Sequence, residues 1–331
     1  MYTSIYSTEL PPVLRKMASV PEMLRLKDVG MHCGCEYTSL PVYSSALEYS
    51  RYIHSLGVAG IVWNFTGDIK QAAAGLFHDI ATPVFAHTID FMNDDHMKQE
   101  STESRTRAII ENSPEIRKLL QDCGAQVEDV DDYHKYPIAD NDTPMLSADR
   151  LEYTLGNASL VFRCPLQEIR DIYKDLVVSE NEFGTEELCF RTMETAKLFT
   201  KISLRNSWWF VSDEERFAMQ FLADLMRAAI QKQAVDPEAL YLTEKEVIQK
   251  MCRDDAVRRL WEEFVHIKGV GVSGGKLSDR YCVKVPAKKR YINPLVLTGD
   301  TPKRAADADQ GIRSEMQAFL EDSYDRWLYC C

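Results

Sequence analysis

The sequence has no apolar run of the length that a membrane-spanning helix requires. Its 331 residues are 45% hydrophobic and 27% charged, which is the profile of a globular protein, whereas a spanning helix needs about 20 consecutive apolar residues. The N-terminal segment MYTSIYSTELPPVLRKM has neither the basic start nor the apolar stretch of a secretory signal. We therefore expect a protein of the cytoplasm without a membrane partner.

An excess of positive charge is also lacking. Lysine and arginine number 39 against 51 aspartates and glutamates, which gives a net charge of −12. Because nucleic acids and anionic membranes bind positive surfaces, this balance argues against general binding to either. A small phosphorylated substrate stays compatible with it, since a metal ion and a few local cations can reverse the field inside one pocket.

Paired C-x-x-C motifs are absent as well, although nine cysteines are present. Zinc sites built on cysteine use such pairs, and Cys33-Gly34-Cys35 is too tightly spaced for one. An odd number of cysteines in a chain without an export signal indicates reduced thiols, most of them buried and unreactive.

Helix signals are abundant. Apolar residues recur at helical spacing over 43–65, and the segment 68–80 begins at Asp68, which can cap a helix, and continues through three alanines. Ser113 precedes a proline at a first helical position, and Ser212 and Thr243 begin runs with capping-box spacing. These signals predict a mainly all-α fold.

Strand-like character is concentrated at about 269–298, and a final helix is predicted at about 310–328. We divide the chain into a helical body at 1–230 and a C-terminal α+β region at 231–331. Within the latter, the basic residues Lys284, Lys288, Lys289 and Arg290 could touch an anionic effector or a partner subunit, or could form a solvated strand edge.

Two histidines and two aspartates form a candidate metal site. His78 and Asp79 are adjacent at the end of a predicted helix, where both side chains can reach one ion, and their nitrogen and oxygen donors suit manganese, iron, zinc or magnesium. His54 lies in an apolar helix, where it is either a ligand or a satisfied core histidine. Asp149 begins a further helix, where a carboxylate can also interact with the helix dipole alone.

The segments around these four residues resemble a known family. RYIHSLGV at 51–58, LFHDIATPVFAH at 76–87 and ADRLEY at 148–153, with PEMLRL at 21–26, are similar to the H…HD…D pattern of the HD superfamily of metal-dependent phosphohydrolases. Within it they resemble the deoxynucleoside triphosphate triphosphohydrolases, over about residues 10–160. The resemblance implies an HD-domain helical bundle with a smaller C-terminal α+β appendage, and a homo-oligomer. It also implies a divalent ion (manganese, iron, magnesium, nickel or zinc) and a small phosphorylated substrate such as a nucleotide.

The resemblance further implies roles for neighbouring side chains. Thr82 replaces a family histidine, and its hydroxyl can hydrogen-bond a phosphate oxygen but has too high a pKa for proton transfer. The substrate-binding residues expected on this basis are Arg51, Thr82, Arg150 and Tyr153. The proton-transfer residues expected are His87, Asp90, His96 and Glu100, with a solvated helix face as the other interpretation of Glu100.

Other positions depart from the family. The family's histidine–glutamate pair aligns with Gln99 and Glu100, and the residues that read the deoxyribose align with Met31 or His32 and with Asn157. These departures leave two hypotheses. The first is a metal-dependent phosphohydrolase acting on a nucleotide or a related small phosphate ester. The second is a non-catalytic or regulatory protein that keeps the metal and binds nucleotides.

Overall fold

Helices make up most of the computed structural model, which describes residues 5–6, 9–44, 48–92, 105–299 and 301–331. The described α-helices span Pro12–Met17, Pro21–Leu24, Arg51–Thr66, Ile69–Phe77, Thr88–Met92, Thr106–Asn112, Pro114–Asp122, Ala148–Leu160, Leu166–Lys174, Met193–Phe210, Asp213–Gln231, Glu244–Met251, Asp255–Val265, Ala305–Ala308 and Gln310–Glu321. Short 3-10 helices span Arg25–Asp28, Cys35–Tyr37, Pro41–Tyr43, Val127–Asp129, Tyr133–Lys135 and Pro237–Tyr241. None of the described helices has both the length and the apolar character needed to cross a bilayer. The mainly helical fold is as predicted.

Side-chain caps fix where several of these helices begin. Asp68 accepts hydrogen bonds from the backbone N–H groups of Lys70 and Gln71, and Ser113, Ser212 and Thr243 cap their helices as the sequence predicts. The helix expected at 43–65 begins later than predicted, at Arg51, because Ser50 is its N-cap. Each of these caps fixes the position of the first turn of its helix.

The helix Arg51–Thr66 lies at the centre of the candidate site and packs against Ile69–Phe77 and Ala148–Leu160. Small residues permit the close approach. A Cβ added at Gly75 would lie 3.2 Å from Cγ1 of Val58, so even one methyl group would crowd this contact. The three helices therefore hold their side chains in fixed relative positions.

A four-stranded sheet joins distant parts of the chain. The hairpin Leu176–Glu180 and Glu186–Phe190 is antiparallel, its second strand pairs in parallel with Leu295–Thr298, and that strand pairs antiparallel with Thr301–Arg304. The expectation of strands mainly at 269–298 was wrong for the hairpin. Each of its strands carries a short apolar run, and the turn between them contains a glycine at φ 72°, which is a local hairpin signal.

A three-stranded sheet lies at the C-terminus, with Trp327–Cys330 between Val270–Ser273 and Cys282–Val283. The predicted final helix at 310–328 was therefore too long, because the helix ends at Glu321 and the chain then forms a strand. Aromatic residues favour strands, and Leu328 is fully buried in the sheet.

Both main hydrophobic clusters include residues from the two sides of residue 230, where the sequence predicts a division. One cluster contains Phe77 and Phe199 together with Val296, and the other contains Phe85 together with Leu328. The C-terminal segments are thus packed into the same cores as the helices that carry the candidate site.

A buried ion pair also links the hairpin to the last strand of the four-stranded sheet. Both oxygens of Glu187, which has 0% exposure, accept hydrogen bonds from Arg304, at 2.7 and 2.9 Å. Leu146 N and Asn181 Nδ2 also donate to this carboxylate. The negative charge of Glu187 is compensated only when the strand Thr301–Arg304 is in place.

We therefore expect Arg304→Met to lower the free energy of unfolding by about 3–5 kcal/mol, because Glu187 would stay buried without its counter-charge. Urea denaturation measures the loss. Arg313→Met is the matched control, since its ion pair with Asp307 is exposed and contributes about 0–1 kcal/mol. Equal stabilities of the two variants would contradict this assignment.

Candidate active site

Three donor atoms from three separate helices converge on one point. Nε2 of His54 lies 3.2 Å from Nε2 of His78 and 2.9 Å from Oδ1 of Asp149. His54 is in the helix Arg51–Thr66, His78 caps the end of Ile69–Phe77, and Asp149 is in the first turn of Ala148–Leu160. The donor atoms of these three residues all lie within 4.8 Å of one another.

The hydrogen bonds on the far side of each imidazole determine its tautomer. Nδ1 of His78 lies 2.8 Å from the carbonyl oxygen of Gly75, and Nδ1 of His54 lies 2.5 Å from Oε2 of Glu152. Both partners are acceptors, so both Nδ1 atoms donate, and in the neutral rings that bind a metal both Nε2 lone pairs face each other beside Asp149. Such an arrangement repels itself unless a cation lies between the donors, and the residues could therefore hold a divalent metal ion.

Asp79 adjoins this group. Its Oδ2 lies 3.4 Å from Nε2 of His78 and 3.9 Å from Nε2 of His54, while Arg51 Nη1 donates to the same oxygen at 3.1 Å. Burial opposes ionisation of Asp79, but the charge of Arg51 and the nearby histidines outweigh it and hold its pKa well below the usual range. Asp79 is therefore ionised at neutral pH and adds a negative charge beside the three donors.

Without a metal ion, His54 and Asp149 shift each other's pKa values. Burial disfavours the charged form of His54, but hydrogen bonds to Asp149 and Glu152 outweigh burial and raise its pKa to about 10. Burial likewise opposes ionisation of Asp149, and the hydrogen bond from His54 holds the pKa of Asp149 below its usual range. A proton thus occupies the position between these donors when no ion is bound.

Glu152 orients His54 and was not predicted from the sequence. It is buried, accepts hydrogen bonds from the hydroxyl groups of Tyr49 and Tyr6, and holds Nδ1 of His54. A Cβ at Gly57 would lie 2.3 Å from Cγ of Glu152, so this close approach requires glycine. The signal available in the sequence was its spacing, because a residue three positions after Asp149 lies on the same helical face.

The four predicted substrate-binding residues line one cavity of about 1190 Å³ beside the metal-ligand group. Arg51 and Thr82 both contact Asp79, and the Thr82 hydroxyl donates to Oδ1 at 2.7 Å. Arg150 braces the loop beside it through Asn141 Oδ1 at 2.6 Å, and burial raises the pKa of Tyr153 to about 12. Tyr153 therefore presents a neutral phenol that can donate a hydrogen bond.

Of the predicted proton-transfer residues, His87 and Asp90 form a pair, with Nδ1 of His87 2.9 Å from Oδ2 of Asp90. His87 lines the cavity and Asp90 is fully buried. Burial lowers the pKa of His87 and Asp90 opposes that effect, while Arg290 and Arg51 lower the pKa further. The imidazole is therefore neutral at neutral pH. His96 and Glu100 lie outside the described residues.

The cavity is also lined by residues that the sequence did not assign to the site, namely Trp209, Glu215 and the segment 286–290. Burial raises the pKa of Glu215 to about 7, although hydrogen bonds from Tyr43 and Cys35 lower it. These residues lie about 60 residues or more from the metal-ligand motifs in the sequence. No local pattern therefore connected them to the site.

The fold is similar to that of a solved phosphohydrolase. A phosphohydrolase from Bacteroides thetaiotaomicron superimposes with a TM-score of 0.66 at 15% identity, over 98% of this chain and 96% of that one. A hypothetical protein from Aquifex aeolicus matches with a TM-score of 0.64 at 17% identity, over 97% and 93% of the two chains. Both likenesses cover the helical body and the C-terminal sheets together.

In sequence, the chain is similar to the uncharacterized protein YdhJ of Bacillus subtilis, with 23% identity over 273 residues, which is 81% of each chain. No family model matches the sequence. The similarity therefore extends along most of the chain, well beyond the motifs near residues 51–58, 76–87 and 148–153.

We expect Glu152→Ala to weaken metal binding about 10- to 100-fold, because His54 would lose the acceptor that fixes its tautomer. Titration of the purified protein with zinc, followed by calorimetry, measures this change. The exposed Glu168→Ala is the control and should leave the affinity unchanged. Unchanged zinc affinity in a folded Glu152→Ala protein would contradict the role of Glu152 in orienting His54 for metal binding.

The pKa of Glu215 predicts a pH-dependent stability. Its folded-state pKa of about 7 exceeds the ordinary value of 4.5, so wild-type stability falls as pH rises between these values. Glu215→Gln removes the free-energy cost of ionising a buried carboxyl group. Between about pH 4.5 and pH 8 the variant should gain about 3 kcal/mol in unfolding free energy relative to wild type. A pH-independent difference in urea denaturation would show that Glu215 does not titrate in this way.

Proposed function

We propose that the chain is a metal-dependent phosphohydrolase of the HD superfamily, which cleaves a phosphate ester of a nucleotide or a related small molecule. The observation that carries the proposal is the convergence of two histidine lone pairs and the Asp149 carboxylate on one point. The likeness in fold to a solved phosphohydrolase supports it. The resemblance of the motifs to the H…HD…D pattern supports the finer assignment to the superfamily.

In this proposal His54, His78, Asp79 and Asp149 hold the ion. When bound, a divalent ion polarises a phosphoryl oxygen and lowers the pKa of water at the site. Arg51 and Arg150 line the same cavity and neutralise charge that develops on the phosphate. Tyr153 donates a hydrogen bond to a phosphate oxygen, and Thr82 acts through Asp79, whose Oδ1 it contacts.

Proton transfer falls to His87 and Asp90 among the described residues. Asp90 accepts from Nδ1 of His87, which leaves Nε2 as the basic atom of the neutral ring. In that state His87 accepts a proton from the attacking water. The same ring then returns the proton to the leaving oxygen. His96 and Glu100 stay predicted proton-transfer residues.

The substrate we infer differs from the deoxynucleotides of the triphosphohydrolase branch. Nδ2 of Asn157 donates to Asn206 Oδ1 at 2.8 Å, so the amide nitrogen is engaged in a contact between two helices. Met31 and His32 line the cavity where the family has a glutamine. Burial lowers the pKa of His32 to about 3, so the wall carries a neutral imidazole there.

A non-catalytic, regulatory nucleotide-binding protein is the second candidate. The observation in its favour is that Thr82, which replaces a family histidine, directs its hydroxyl to Asp79 and supplies no group that titrates near neutral pH. Following the resemblance, we also infer a homo-oligomer of the cytoplasm, with a helical body at 1–230 and a C-terminal α+β region at 231–331.

A screen of nucleotides and other phosphate esters with manganese, iron, magnesium, nickel or zinc tests the enzyme hypothesis. His78→Ala and Asp79→Ala should each reduce kcat/KM at least about 100-fold, because each removes a ligand or its charge. The matched controls are His266→Ala and Asp255→Ala, which alter exposed residues. Metal binding and nucleotide binding without release of any phosphate species would favour the regulatory candidate.

A further inference from the structure

The N-terminal segment 21–26 has no part in the proposed chemistry, although its sequence resembles the family. Within it, Arg25 is the first residue of a 3-10 helix that follows directly on a short α-helix. The neighbouring side chains of Met23 and Leu26 are fully buried, in the hydrophobic cluster that also contains Ile80. Arg25 is therefore carried on a segment that shares its core with the chain just beyond the metal-ligand helix.

Arg25 donates hydrogen bonds to three backbone carbonyl groups. Its Nη2 lies 2.6 Å from the carbonyl oxygen of Thr82 and 3.2 Å from that of Ile80. Its Nη1 lies 3.3 Å from the carbonyl oxygen of Leu242. Because Ile80 and Thr82 are buried, their carbonyl groups depend on donors from the protein. The guanidinium thus joins the turn at 79–82 to the C-terminal region.

Hydrogen bonds within the turn at 79–82 connect this contact to the Asp79 carboxylate. The backbone N–H of Thr82 donates to the carbonyl oxygen of Asp79 at 2.9 Å, and the Thr82 hydroxyl donates to Oδ1 of Asp79 at 2.7 Å. The other carboxylate oxygen, Oδ2, faces Nε2 of His78 at 3.4 Å. Since Arg25 fixes the backbone of Thr82, it also fixes the hydroxyl that sets the orientation of this carboxylate.

Arg25 and Arg51 act on Asp79 in different ways. Arg51 lines the cavity and donates directly to the Asp79 carboxylate, whereas Arg25 lies outside the residues that line the cavity. Burial lowers the pKa of the Arg25 guanidinium, and the nearby charge of Asp79 opposes that effect. Arg25 therefore reaches the site only through the turn and through its charge, and two kinds of substitution can separate these contributions.

We propose that Arg25 is a positioning residue, which holds the turn at 79–82 in place and thereby sets the position of the Asp79 carboxylate. The inference rests on the proposed function in one respect, since it takes Asp79 as a metal ligand. It gives the N-terminal segment a part in metal binding that the four ligands do not require by themselves. Groups that orient a ligand commonly change metal affinity although they never touch the ion.

Zinc binding to the full chain, measured by calorimetry, tests the effect on the site without turnover. Arg25→Met replaces the donors by an unbranched apolar side chain and should weaken zinc binding about 10-fold. Arg25→Lys keeps the positive charge, but a single ammonium does not reproduce the fork of guanidinium nitrogens that reaches three carbonyl groups. We therefore expect Arg25→Lys to recover only part of the lost affinity.

Arg191→Met is the matched control. Nη1 of Arg191 also donates to two backbone carbonyl groups, those of Lys174 and Leu176, at 2.9 and 3.0 Å, but these lie beside the hairpin and not at the cavity. Its loss should leave zinc affinity unchanged. Urea denaturation of both methionine variants establishes that each is folded and how much stability each has lost.

Hydrogen exchange in the metal-free protein examines the turn itself. The backbone N–H groups of Ile80 and Thr82 donate within the chain, to the carbonyl oxygens of Phe77 and Asp79. Arg25→Met should speed their exchange about 10-fold, because the turn opens more often when its carbonyl groups lose their donor. Arg191→Met should leave both exchange rates at the wild-type values.

Unchanged zinc affinity in Arg25→Met would overturn the proposal, whatever the exchange rates. Full recovery of affinity in Arg25→Lys would overturn it too, since charge alone would then account for the effect, and so would an equal loss in Arg191→Met. The proposed function fails separately, if the wild type binds no zinc and hydrolyses no ester. Faster exchange at Ile80 and Thr82 in Arg25→Met would in that case still support the hold of Arg25 on the turn, and unchanged exchange would overturn it.

Discussion

The orientation of two imidazole rings is the constraint on which the rest of the candidate site depends. Glu152 holds Nδ1 of His54, and the Gly75 carbonyl holds Nδ1 of His78, so both Nε2 lone pairs point to one place. Burying several polar groups in a helical core is costly unless each is paired or bound to a ligand. The close packing at Gly57 and the caps that begin the helices serve this geometry, because they fix the elements that carry the rings.

The remainder of the cavity depends on parts of the chain far from the metal-ligand motifs. Residues 284–294 connect the two sheets and include the segment that lines the cavity. The buried pair of Glu187 and Arg304 joins the hairpin to the strand Thr301–Arg304. The helical body therefore supplies the candidate ligands, and the C-terminal region supplies part of the wall that a substrate would contact. Both parts of the chain line the one cavity.

The part of the site that could be predicted from the sequence is the local part. His78 and Asp79 are neighbours, and Asp149 follows a capping serine, so short motifs were sufficient to identify them. The same reasoning could have identified Glu152, because it lies at helical spacing from Asp149. The cavity-lining segment 286–290 could not be identified in this way, because its position depends on the pairing of Glu186–Phe190 with Leu295–Thr298, across more than about 100 residues, and no local pattern specifies such a pairing. The strand at Trp327–Cys330 was missed for a similar reason, since its two partners are distant in sequence.

The central claim is that His54, His78 and Asp149, together with the adjacent Asp79, hold one metal ion. Anomalous diffraction from crystals grown with zinc tests it most directly. The account predicts a single strong peak at about 2.0–2.1 Å from the Nε2 atoms of both His54 and His78, with a carboxylate oxygen of Asp149 at a similar distance. A zinc peak elsewhere, with the two imidazoles still paired only to protein atoms, would contradict it.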